Sequence, residues 1–286
     1  MSTKTKMGKS DFLYRFCQNK LALAGACVFI FICVMAVFAG VIFDYDTDVT
    51  GQDMQERLQP PSWEKPLGTD DYGRNIFARI VYGARYSLLI GVSTVAAAML
   101  LGLLIGSAAG YFGGWIDNVL MRIMDIFLGI PIILLAITIV AALGPGLQNM
   151  IAALVIAQTP TFARLVRVSV MSIKDQEYIE AAKVVGTPTG KIIAGHILPN
   201  VIGPLIVQAT LSVAMMILYS CSLSYLGLGV QPPTPEWGAM LSDGKRFLRT
   251  YPNLVLFPGL AIVITVLSLN LIGDGIRDAI DPRLRD

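Results

Sequence analysis

Along the chain, apolar residues gather into six long runs, and the segments between them carry the charge. The runs are Leu21 to Phe43, Tyr86 to Gly110, Ile126 to Leu143, Leu147 to Ala163, Val201 to Tyr225 and Leu254 to Ile272, and none contains Asp, Glu, Lys, Arg or His. A helix rises 1.5 Å per residue and the hydrocarbon core of a bilayer is about 30 Å thick, so roughly 18 apolar residues suffice to cross it. Helices of a soluble domain would show a polar stripe opposite an apolar one. These runs show none, and the pattern predicts an all-α, polytopic integral membrane protein with six transmembrane helices. The third and fourth form a pair around the short break "GPGLQNM".

Composition agrees: 55% of the residues are hydrophobic and 15% charged, against about 25% charged in an ordinary soluble domain. The basic N-terminus (Lys4, Lys6, Lys9, Arg15, Lys20) ahead of an apolar run has the look of a secretory signal. Its run is longer than the about 7 to 15 residues of a signal core, and five more follow, which favours an uncleaved first helix. With the N-terminus inside, the inner segments hold the larger share of the 22 Lys and Arg, while the acids divide evenly. By the positive-inside rule both termini are expected in the cytoplasm. The organisation expected is a cytoplasmic tail (1–20), a first span (21–43), an extracytoplasmic loop (44–85), a core of five spans (86–272) with a cytoplasmic loop at about 170–200, and a cytoplasmic tail (273–286).

Reactive side chains are few. Cys17, Cys27, Cys33 and Cys221 have neither disulfide-framework nor C-x-x-C spacing and read as small core residues. His196 is the one histidine, so no multi-histidine metal site is possible. No catalytic, cofactor or metal site and no nucleic-acid partner is expected in this chain.

The exception to the oily pattern is "EYIEAAKVVGTPTGKIIAGHILPN", Glu177 to Asn200. Asp175 to Val185 is helix-compatible with acids in its first turn, Gly186 suits the residue after a helix end, and Thr187 with Pro188 suits an N-cap followed by proline. A second helix would run to Leu198, where Pro199 discourages continuation. "GTPTGKI" is not a phosphate loop: three residues separate the glycines and Ile192 follows Lys191, where four residues and a hydroxyl are needed.

"EAAKVVG" followed by "HILPN" resembles the EAA loop of binding-protein-dependent ABC importer permeases, E-A-A, three residues, G, nine residues, I-x-L-P. Glu180, Ala181, Ala182, Gly186, Leu198 and Pro199 match it; His196 stands where the broad pattern has Ile. "PLGTDDYGRNIFARIVYGARYSLLIG", "GYFGGWIDNVLMRIMD", "SYLGLGVQPPTPEWGAMLSDG" and "NLIGDGIRDAIDPRLRD" resemble, in the same order, the C-type permease of dipeptide, oligopeptide and nickel importers. The resemblance implies a type I ABC importer permease in a bacterial or archaeal cytoplasmic membrane. It also implies four kinds of contact: a second, B-type permease subunit, two ATP-binding subunits that hold ATP and Mg, an extracytoplasmic substrate-binding protein, and lipid. The EAA loop would be the helix that couples to an ATPase, kept rigid because a frayed helix would absorb the movement. The cargo implied is di- or oligopeptides, with nickel chelates or oligosaccharides as the other family cargoes. A stand-alone carrier or channel is the reading from a different class; carriers that use ion gradients usually keep ionisable groups in their spans, and these six have none.

Further expectations attach to particular residues. Gly102, Gly106 and Gly110 line one helix face and permit close helix contact; packing within the chain is favoured over contact with the partner permease or plain flexibility. Pro131 and Pro258 are expected as kinks in packed spans, the alternative being helix breaks whose backbone carbonyls bind sodium. Ile76, Phe77, Ile80 and Val81 predict an amphipathic helix on the membrane surface, and Trp237 in "QPPTPEWG" an interfacial anchor. Docking of a binding protein, gating and plain anchoring all fit these loops. Gln158, Gln208 and Asn270, with Thr159, Thr210 and Ser212, are polar residues in spans that either line the pathway or bond a neighbouring helix.

Overall fold

The computed structural model describes residues 9–280, and the termini on either side, including Lys4, Lys6 and the end of the C-terminal motif, lie outside the described residues. Helix α1 (Lys9–Gln18) leads into α2 (Lys20–Ile42), whose first turn is capped by Asn19 Oδ1 accepting from the Ala22 amide at 3.1 Å. An irregular segment with a π-turn (Tyr45–Val49) and a 3₁₀ turn (Met54–Glu56) follows. Then come α3 (Ile76–Phe112), α4 (Gly114–Leu128), α5 (Ile132–Leu143), α6 (Leu147–Met171), α7 (Glu177–Val184), α8 (Thr189–Ile192), a π-turn (Ile193–Ile197), α9 (Leu198–Tyr225), α10 (Trp237–Gly244) and α11 (Asn253–Ile280). Among the described residues there is no strand, only an isolated bridge between Thr69 and Asn75.

Among the described residues five helices are long and apolar enough to cross a membrane, and a sixth crossing exists there only if α4 and α5 count as one span bent by 88°. The single span expected from Ile126 to Leu143 is therefore corrected to a sharply bent pair, with the bend at the expected Pro131 kink. Pro131 has no amide hydrogen and disfavours helical geometry at Ile130; with Gly129 it turns the chain, leaving α5 with 12 residues, about 18 Å of rise. Elsewhere the helices outrun their apolar runs. The fourth continues to Met171 and the last to Ile280, and α3 begins ten residues before Tyr86. Its start is fixed by Asn75, whose Oδ1 accepts from the Phe77 and Ala78 amides. The helix predicted over Ile76 to Val81 thus exists, but as the first turns of α3 with Ile76 and Val81 buried, not as a separate surface helix.

The core is built where α3 meets α6 and α9, and α11 packs on α2 and α9. The stripe of Gly102, Gly106 and Gly110 lies directly on α6. A Cβ at Gly102 would come within 2.4 Å of Phe162 Cβ, and one at Gly106 within 2.4 Å of the Ala163 carbonyl oxygen. The contact is within the chain, the favoured one of the alternatives that the spacing leaves open, and backbone approaches backbone because no side chain intervenes. At the far end of the same pair, Arg167 of α6 holds Asp117 of α4 through two hydrogen bonds of 2.5 and 2.6 Å. Of the cysteines only Cys221 is buried; Cys17 and Cys27 are exposed, so the expectation of small core residues holds for one of the four.

Candidate functional site

The loop between α6 and α9 is assembled from backbone geometry. Helix α7 ends at Val184 with Val185 as its C-cap, and Gly186 follows with φ +81°. The Gly186 amide donates to the Lys183 carbonyl and the Thr187 amide to the Ala182 carbonyl, both at 3.0 Å. This pair of bonds is the Schellman arrangement, which satisfies carbonyls that a helix end leaves open. A Cβ at Gly186 would meet nothing within 4 Å, so glycine is required here by the left-handed φ and not by space. The expected capping by Thr187 is corrected: Pro188 occupies the N-cap position of α8, its carbonyl accepting from the Lys191 and Ile192 amides. Nor does Pro199 end a helix. The coil widens into a π-turn over Ile193–Ile197 just before it, and Pro199 falls in the first turn of α9, where its missing amide hydrogen is tolerated, so α9 continues.

Burial divides this loop into two faces. Ile179, Ile192 and Ile197 are fully buried in the core cluster shared with α3, α6 and α9. Val184 and Val185, at 87% and 84% exposure, stand at the tip beside Gly186 and Pro188. Glu180, Ala181, His196 and Pro199 are exposed, while Ala182 and Leu198 are half-buried. The His196 side chain points outward, and its carbonyl accepts from Asn200 Nδ2 at 2.7 Å. Lys183 Nζ lies 5.9 Å from the centre of the Tyr111 ring, which ties the loop to the end of α3. Neither face is marked in the sequence: the isoleucines at 179, 192 and 197 share no helical spacing, and Val carries no mark of exposure.

The polar residues of the spans fall in two places. Gln158 of α6, buried, donates to Ser212 Oγ of α9 at 3.0 Å, and half-buried Gln208 donates to the same oxygen at 3.2 Å. Asn270 of α11 is half-buried and stands apart from this cluster, one turn from Gly273, which packs on Leu211. Thr159 and Thr210 bond carbonyls of their own helices.

At the opposite end, the segments 44–75 and 226–253 close into a cap that sequence patterns did not reveal. Arg74 Nε bonds Asp70 at 2.6 Å, and Arg79 of α3, 2% exposed, lies 3.5 Å from the same carboxylate and donates to the Val49 carbonyl at 2.8 Å. Asp71 pairs with Arg246. Burial pushes the Asp243 carboxyl above the usual range, opposed by the Arg74 and Arg79 guanidinium groups. Glu236 is fully buried and caps α10 by accepting from the Ala239 amide at 2.9 Å. Trp237, expected as an interfacial anchor, is 1% exposed instead, its Nε1 donating to the Ile80 carbonyl at 3.0 Å. That bond joins residues 157 positions apart, which no local pattern announces.

Comparison with known proteins places this architecture. Residues 102–286 match the model of the binding-protein-dependent transport system inner membrane component, and residues 10–61 that of the N-terminal transmembrane domain of oligopeptide transport permease C. The chain is 49% identical to the dipeptide transport system permease protein DppC of Alkalihalophilus pseudofirmus, over 94% of this chain and 88% of that one. It is 43% identical to the di/tripeptide permease of Pseudomonas aeruginosa (96% and 92% covered) and 40% identical to the glutathione permease of Pectobacterium atrosepticum (96% and 91%). In fold it is similar to the inward-facing methionine ABC transporter, with a TM-score of 0.58 at 21% identity, covering 71% of this chain and 97% of that one. The helical bundle, the capped loop and these relatives agree, and the chain belongs to the binding-protein-dependent inner membrane permeases as a multi-pass permease subunit of an ABC importer.

Proposed function

We propose that this subunit imports di- and oligopeptides, and that the loop from Glu180 to Pro199 is its coupling element. The observation that carries the second part is the two-faced loop: three buried isoleucines fix it to the bundle, while Val184 and Val185 stand exposed beside a corner locked by backbone bonds. An apolar tip on a rigid mount can seat in a groove of another protein and transmit its displacement. The excess of Lys and Arg in the segments that share the loop's side supports its facing the cytoplasm, with both termini. The peptide assignment is supported by the relatives named for dipeptides, di- and tripeptides and glutathione, itself a peptide.

In this reading the chain is not itself an ATPase. Two partner ATP-binding subunits hold ATP and Mg, a B-type permease completes the pathway, and an extracytoplasmic binding protein delivers the cargo. The test is Gly186→Val in the purified, liposome-reconstituted importer. A β-branched side chain at φ +81° is strained, so the corner opens; dipeptide uptake should fall to background while the subunits still copurify. Uptake at the unmodified rate would refute the coupling role.

A further inference from the structure

We propose that Gln158, Ser212 and Gln208 form a midplane contact site for the backbone amides of the transported peptide; this rests on the reading of the chain as a peptide permease. Gln158 lies near the middle of 25-residue α6, and Gln208 and Ser212 near the middle of 28-residue α9. The three therefore meet at the depth where unsatisfied polar groups cost most in lipid. Their mutual bonds are partial. Both amide nitrogens donate to one Ser212 oxygen, and among the described residues neither glutamine carbonyl oxygen receives a hydrogen bond.

Placement shows where that unused capacity is presented. On α9, Gln208 sits at the border between the side packed on α6 and the side on which Met215 and Leu218 remain uncovered. An amide facing lipid there would be a standing cost; an amide facing a wetted passage would not. Ser212 holds the Gln208 side chain by its nitrogen, which leaves the carbonyl oxygen as the free group. A free acceptor calls for an N–H donor, and every peptide bond not preceding proline supplies one whatever its side chains. The site's neutrality fits transit as well: an acceptor without charge recognises the peptide bond yet releases it, as a conducting site requires.

The test compares alanyl-alanine with alanyl-lactate, in which an ester oxygen replaces the peptide N–H. Each is delivered at saturation on the binding protein to the complete reconstituted importer. The wild type should move the dipeptide about tenfold faster than the ester, the worth of about one hydrogen bond. Gln208→Leu should bring that ratio to about one, and Gln208→Asn should recover part of it. Because the ratio is internal to each preparation, loss of folded complex does not mimic the effect. A wild type that treats the two compounds alike, or a Gln208→Leu importer that keeps the wild-type ratio at any absolute rate, overturns the proposal. A wild-type complex that takes up neither compound overturns the peptide reading itself.

Discussion

At the capped end of the bundle the chain is fastened by charged and aromatic side chains that reach across long sequence distances, with Arg79 and Trp237 buried and bonded to carbonyls of other segments. At the loop end it is fastened by two backbone bonds around Gly186 and by three isoleucines. The cap spends its polar groups inward and is closed on itself. The loop leaves its tip open. Side-chain fastening ties segments to α3 as a unit, whereas backbone fastening sets a shape and leaves the surface free for another protein, so the two ends should respond to substitution in different ways.

The largest effect is expected at the cap. Arg79→Ala leaves the Val49 carbonyl and part of the Asp70 charge buried without a partner and should lower stability by about 3 kcal/mol, measured by thermal unfolding in detergent; an unchanged unfolding midpoint would mean that the cap is not fastened by charge. Next is the shared strut, Gly106→Ala, whose new methyl meets the Ala163 carbonyl and should cost about 2 kcal/mol through forced separation of α3 and α6. Gly186→Ala should cost only about 1 kcal/mol, the strain of the left-handed corner, with Gly186→Asn milder because Asn tolerates it; equal losses for Ala and Asn would argue against φ as the cause. Val185→Ser should change stability by less than about 0.5 kcal/mol yet weaken copurification of the ATPase subunits, the sharpest contrast with the cap.

The smallest effect is a pH response. The Thr47 amide and hydroxyl, with the Asp46 amide, hold the Asp44 carboxyl below the usual carboxylate range. A depressed folded pKa means that the contribution is present above the unfolded value and lost as pH falls through the folded one. Amide exchange at 46 and 47, corrected for its intrinsic pH dependence, should therefore accelerate on acidification below about pH 4, and Asp44→Asn should abolish that response.

Much of the bundle was legible because crossing a bilayer demands long apolar runs. That α3 makes a close helix contact was legible because Gly102, Gly106 and Gly110 leave a face bare, though not that α6 is the partner; the Gly186 corner was legible because a left-handed turn prefers glycine. A kink at Pro131 was legible too, but not its size: hydropathy is blind to direction, and an apolar run reads the same whether it bends slightly or by 88°. Pro199 misled in the opposite sense, because a proline can open a helix as readily as end one, and here it lies in the first turn of α9. The cap was illegible for a third reason. Arg79 is a surface residue by type and Trp237 beside prolines suits an interface, and only partners brought from distant segments account for their burial.

Helix α3 runs for 37 residues without a proline, about 55 Å of continuous coil. Its first turns carry Arg79 inside the cap, and Tyr111 at its other end meets Lys183 of the loop. Such a member has no joint at which to dissipate a displacement. Whatever tilts it at one end must tilt it at the other, as with a tiller whose blade cannot be turned without moving the hand.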